Sequence, residues 1–427
     1  MHRLATLGLA AAGAALLLLT SACAGGAPGA APDSNTLTLQ TNWTTGGQEN
    51  VPLTAALKEF TAQTGITVKV LENGDDLNDV YATSLLAGKE ADVLLVGLLE
   101  KQLDWVKNGA VVPLEGYVGP WGLTDKLPVE AIDDWTDPDG HLRGLPYAGF
   151  TWPWWYNTEL LAQHGATVPT TTEELVATAA KLRAGGVEPV VVGGNDWSGQ
   201  KIFLQFLQTY LSPADAVKVF NEGNTCANPD AVRGIELFTQ LRDAGVFADG
   251  VEGLSADQAQ AMYFSGTAAI APLGSWAYLA APEKQAAATV LGGLPAAPGG
   301  TYAKPTAFRG STSAGWWISP NGQEKIESVQ KLITFMYQPQ VLHSMLADGG
   351  VVLSTATDVD TTGVTAPLLA QSFNDLPAKV DFAVMPDLHV PADVSNPMYR
   401  ATSIAYTKGN DARKICETVD AVYRSVR

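Results

Sequence analysis

Adjacent acids, scattered histidines and three cysteines are the residues of this 427-residue chain whose type could do chemistry. The acid pairs are Asp75-Asp76, Asp133-Asp134 and Glu173-Glu174. Two carboxylates can divide acid and base roles in hydrolysis, but acids adjacent in sequence ordinarily mark a solvated turn or a helix start. His2, His141, His164, His343 and His389 are isolated from one another and from the cysteines, so no zinc site is expected. No phosphate-binding Walker loop, dinucleotide fingerprint, paired-histidine metalloprotease motif or nucleophile elbow occurs. The nearest approach, Gly310-Ser311-Thr312-Ser313-Ala314-Gly315, has the wrong spacing for an elbow. These absences point away from an enzyme and predict neither a metal nor a cofactor.

Cys23 stands at the end of a leader: Arg3, an apolar run from Leu4 to Leu19, then Thr20-Ser21-Ala22-Cys23. Charge, short apolar core and small residues before a cysteine are the parts of a secretory signal peptide, and this ending resembles a lipobox. Thr20 departs from it, because the usual Leu, Leu19 here, lies one place further back. The run is too short for a membrane span. Residues 1–22 are therefore expected to be removed and Cys23 acylated, which tethers the protein to the cell membrane without spanning it. Residues 24–35, rich in Gly, Ala and Pro, read as a flexible spacer. Cys226 and Cys416 remain, and outside the cytoplasm they either form one disulfide or stay as two buried thiols.

The full chain has 46% apolar residues, 16% charged residues and a formal net charge of −18. It is long enough for two cores, and its acidity disfavours nucleic acid and anionic lipid as partners. Its unusual feature is eleven tryptophans, several in Gly-, Pro- or polar-rich settings. Trp43 follows the first apolar-alternating segment, Trp121 sits between Pro120 and Gly122, and Trp197 ends Gly193-Gly194-Asn195-Asp196-Trp197. Trp276 lies in Gly274-Ser275-Trp276, and Trp316-Trp317 follows a Gly/Ser segment. An indole in a crevice suits a pyranose ring, whose C–H face stacks while its hydroxyls meet polar side chains. The competing role for each is a core anchor, favoured for Trp105 and Trp135.

The elements that must carry these residues alternate. Thr36 to Asn42 alternates as a strand, Pro52 to Thr64 has helical apolar spacing, and Ile66 to Leu71 is a second strand. A helix near Asp79 to Ala87 and the apolar strand Asp92 to Val96 repeat the pattern. A second cycle begins near Tyr156, with a helix over Thr172 to Arg183 N-capped by Thr172 and the strand Val190-Val191-Val192. Such alternation predicts α/β lobes with largely parallel sheets, in which residues just past strand carboxyl ends line the ligand crevice. At least three of the tryptophans fit that position. Leu291 to Gly300 and Thr361 to Pro367 read as crossovers or surface loops.

Several fragments in order resemble extracellular solute-binding proteins of ABC importers, in the carbohydrate-binding group that includes maltose-binding proteins. They are Leu57 to Val68, Leu86 to Val93 with Ala91 where that group has Pro, Gly109 to Leu114, Leu145-Pro146-Tyr147, Trp155-Tyr156-Asn157, and Phe264 to Ile270 leading to Gly274-Ser275-Trp276. The resemblance implies a two-lobe periplasmic-binding-protein-like α/β fold with a hinge and an interlobe cleft. Lobe one would be 36–149 and 310–352, and lobe two 150–309 and 353–427, which puts Cys226 and Cys416 together. It implies a monomer that captures a sugar between its lobes and delivers it to membrane permease subunits, with no chemistry. Carried over by position, Trp43, Trp152, Trp197, Trp276 and Trp316 would stack on sugar rings, and Asn42, Asp76 and Arg309 would hydrogen-bond hydroxyls. Arg309 has an interlobe ion pair as its alternative, and Asp76 a turn. Rival readings are a receptor for another polar solute such as a glycerol phosphodiester, a surface-anchored glycoside hydrolase, and a structural or adhesive lipoprotein.

Overall fold

A computed structural model describes residues 35–74, 76–354 and 363–426. Cys23, its leader and Asp75 lie outside the described residues. Among the described residues, ten strands form two sheets. The first contains β1 (Thr36–Thr41), β2 (Thr67–Glu72), β3 (Val93–Val96), β4 (Leu145–Trp152), β9 (Thr306–Ile318) and β10 (Asp381–Phe382). The second, in spatial order, is β6 (Glu188–Val190), β7 (Ala268–Pro272), β5 (Trp154–Asn157) and β8 (Thr289–Gly292).

β1 pairs in parallel with β2 and with β3, as the strand–helix–strand pattern requires. The expectation of largely parallel sheets is nevertheless corrected to mixed ones. β9 runs antiparallel to both β3 and β4, and β5 runs antiparallel to β7 and β8. The cause is chain crossing. β4 ends in the first sheet at Trp152, Pro153 interrupts the ladder, and β5 begins in the second sheet at Trp154. β9 brings the chain back, so these strands arrive from the other sheet instead of through a helix crossover.

Side-chain alternation then distributes the aromatic run. Trp154 and Tyr156 enter one core with Leu175, Phe203, Phe206 and Phe238, while Trp155 between them enters a second core with Tyr263, Tyr278 and Leu291. The first sheet has its own core, built on Leu37, Phe60, Leu94, Trp135, Trp317 and Ile333. Trp135 is fully buried, and Trp105 packs on Tyr81 and Trp317 at ring-centroid distances of 5.0 and 5.1 Å.

The helix Thr172–Ala184 is capped one residue earlier than expected, by Thr171. The Thr171 hydroxyl accepts from the Glu174 N–H while Glu174 reaches back to the Thr171 N–H, a reciprocal box that Thr172 cannot form from inside the first turn. The strand expected at Val190-Val191-Val192 lies two residues earlier, at Glu188–Val190, and Val191 and Val192 continue it as buried chain. Cys226 and Cys416 form a disulfide with Cα atoms 5.2 Å apart. Asp420, on the same helix as Cys416, accepts the backbone N–H groups of Thr225 and Cys226 at 2.7 and 3.1 Å. No helix among the described residues is long and apolar enough to cross a membrane.

Candidate functional site

Three turns around one cavity carry its indoles. Trp152 is the last residue of β4, Trp197 the first residue of the helix Trp197–Leu207, and Trp276 lies in the turn that follows β7. Their ring centroids are 5.3 Å apart for Trp152–Trp197, 5.7 Å for Trp152–Trp276 and 5.8 Å for Trp197–Trp276, with planes inclined by 53 to 63°. Trp152 is buried, and its indole N–H meets no acceptor among the described residues; Trp197 and Trp276 are half-buried. All three line a cavity of about 330 Å³.

Local structure sets the rings. Asp196 caps the Trp197–Leu207 helix, accepting from the Ser198 N–H at 2.9 Å and the Ser198 hydroxyl at 2.8 Å. Its other oxygen accepts from the Ala256 N–H at 2.6 Å, which ties this helix start to that of Ala256–Phe264. Both carboxylate oxygens are therefore engaged in structure although Asp196 faces the cavity. Gly274 has no side chain because the Trp276 ring folds back over it, where a Cβ would overlap the indole.

The opposite wall is Gly46, Gly47 and Gln48, from the loop after β1. Glu72 at the end of β2 shapes that loop, accepting from the Thr45 N–H at 2.7 Å and the Thr45 hydroxyl at 3.0 Å. These bonds hold the Glu72 carboxyl below its ordinary range. Gln48 closes this wall against the turn that carries Trp276: its amide donates to the Ser275 carbonyl at 3.2 Å and accepts from the Leu279 N–H at 2.9 Å. Asp257 and Gln260 add polar groups, and among the described residues no lysine or arginine lines the space.

The structure thus brings together Trp152, Trp197 and Trp276 of the residues expected at the site and separates the others. Trp43 packs in the first sheet's core, 6.4 Å from Tyr147, and Asn42 beside it is exposed outside the cavity. Trp316 is fully buried, 5.7 Å from Tyr147, because its position on β9 turns it into the core rather than toward the cleft. Asp76 is exposed at the start of the helix Leu77–Leu86, and Arg309 stacks its guanidinium 4.3 Å over Phe382. Gln48, Asp196 and Asp257 also line the cavity and are not among the residues the sequence singles out. Their signals were a Gly-Gly turn just past β1 and acids at two helix starts. No group of three or more potential metal ligands occurs among the described residues.

A family model described as bacterial extracellular solute-binding protein matches residues 46–342. The chain is 40% identical to a probable secreted solute-binding lipoprotein from Streptomyces coelicolor, covering 92% of this chain and 99% of that one with a TM-score of 0.79. A chitin oligosaccharide binding protein shares the fold at 23% identity and a TM-score of 0.79, covering 91% of this chain and 98% of that one. A probable sugar-binding periplasmic protein of Rhizobium meliloti (strain 1021) is 30% identical over 189 residues, 41% of this chain. The chain spans about two-fifths of the length of such curated relatives, 42% for this one.

Proposed function

Because the chain belongs to the family of bacterial extracellular solute-binding proteins, we propose that it captures a mono- or oligosaccharide between its lobes and hands it to the permease of an ABC importer. The observation that carries this reading is the trio Trp152, Trp197 and Trp276 around a cavity that bears no cation. Indole faces bury the C–H side of a sugar ring, and Asp257, Gln260 and Gln48 offer hydrogen-bond partners to its hydroxyls. The same cation-free lining speaks against a phosphodiester, whose charge would need an Arg or Lys.

The lobes of this reading are 36–149 with 310–352 and 150–309 with 353–427. The sugar bridges them and favours closure to the extent that it contacts the closed state better than the open one. The protein acts as a monomer, performs no chemistry, and is held at the membrane by acylated Cys23.

The test is the thermal midpoint and tryptophan fluorescence of the mature chain against a panel of neutral mono- and oligosaccharides, uronic acids and glycerol phosphodiesters. A ligand at about a thousand times its dissociation constant stabilises by about 4 kcal/mol. A shift with a neutral sugar class and with no charged solute is expected. A shift only with the charged solutes, or none with any sugar, would sink the reading.

A further inference from the structure

One turn below Trp197, on the same helix face, lies Lys201, which is 3% exposed. Its ammonium is clasped by the Glu100 carboxylate and lies 2.6 Å from Asp387 Oδ1, and both acids are as buried as the lysine. The three come from different places. Glu100 follows β3, and its neighbours Leu98 and Leu103 pack in the first sheet's core. Lys201 is followed by Ile202 and Phe203 of the second lobe's core. Asp387 sits on the strap after β10, where Leu388 faces the first core and Val390 the second. Tyr399, from the helix Ala392–Tyr406, faces the cluster as well.

We infer that Glu100, Lys201 and Asp387 are a latch between the lobes. A charge cluster inside one core would be permanently dry, but this one is dry only while Glu100 and Lys201 are apposed. Opening the cleft would hydrate all three groups, so the Coulomb attraction gained on closing is offset by the desolvation it demands, and the latch stays reversible. Burial pushes the Glu100 carboxyl up, and the lysine beside it counters this. Burial alone would lower the Lys201 ammonium, but Asp387 and Glu100 outweigh it and keep it charged. The Gln48 bridge to Ser275 and Leu279 is a second, neutral tie across the same division.

The inference rests on two-lobe closure and not on the identity of the solute, so its failure would leave the sugar reading standing. Its test is the radius of gyration of the unliganded mature protein by small-angle scattering, with circular dichroism as the check on folding. Glu100→Lys puts like charges together only in the closed form and leaves each lobe's own core alone, so it is expected to open the molecule. Glu100→Leu/Lys201→Met/Asp387→Leu removes the desolvation demand and is expected to close it. If that triple variant does not fold, Glu100→Leu/Lys201→Met/Asp387→Asn serves in its place. A larger radius for Glu100→Lys than for the apolar variant is expected wherever the native protein falls between them. Equal radii for the two folded variants would overturn the latch.

Discussion

Two tryptophans that look alike in the sequence separate site from scaffold. Trp276→Ala, at the cavity, should weaken sugar binding by roughly tenfold to a hundredfold, the range expected for losing an aromatic stack together with its buried area, and leave the thermal midpoint of the free protein close to native. Trp316→Ala, in the first core, should do the reverse and lower stability by about 3–5 kcal/mol in denaturant unfolding. Similar midpoints for the two variants would contradict the placement of Trp316. Glu49, beside the cavity loop, adds a pH signature. Burial pushes its carboxyl up from 4.5 to about 7. The native state then holds a proton that the unfolded chain releases, so this contribution is fully present below about pH 4.5 and is lost as pH rises to about 7. Glu49→Gln should flatten stability against pH across that window; an unchanged slope would exclude the group. At this scale Gly and Asp neighbours mark Trp197 and Trp276 as turn residues in the sequence, whereas Trp152, between Thr151 and Pro153, is reached only through the family resemblance. The sequence hid Trp316 because a Gly/Ser run before an aromatic pair reads as a loop, whereas here it is β9, whose alternation turns Trp316 inward.

Helices and local strands were legible as elements because each is written in a short window. The helices Asn50–Thr64 and Leu77–Leu86 fall within about two residues of their apolar periodicity, and Gly65 takes the left-handed conformation that ends the first. Strand direction was not legible. Nothing within Thr306–Ile318 says that it returns antiparallel beside β3 and β4, since that follows from where the chain crosses between lobes. The cap of Thr172–Ala184 makes the point at finer grain, because two adjacent threonines differ only in which one lies outside the first turn. Thr171→Ala should cost about 1 kcal/mol in urea unfolding and Thr172→Ala should not incur that loss of the cap. Equal costs would refute the reciprocal box with Glu174.

Across the whole molecule, the disulfide joins residues 190 apart and fastens the C-terminal helix Ala412–Val426 to the segment around Cys226. Reduction, or the Cys226→Ala/Cys416→Ala variant, should lower stability by about 2–5 kcal/mol in denaturant unfolding. It should leave sugar affinity within about twofold of native, because neither cysteine is among the cavity residues. A matching loss of affinity would mean that the C-terminal helix also governs the cleft. The trio Trp152, Trp197 and Trp276 has one more consequence, an optical one. Three indoles within 6 Å of one another and steeply inclined share their electronic excitations, so the native protein should show a split near-ultraviolet circular dichroism band absent from isolated tryptophan. Any solute that slides over one ring, or any movement that carries Trp197 away with its helix, would detune that splitting. The protein carries a chromophore of its own that reports occupancy and cleft geometry without a label.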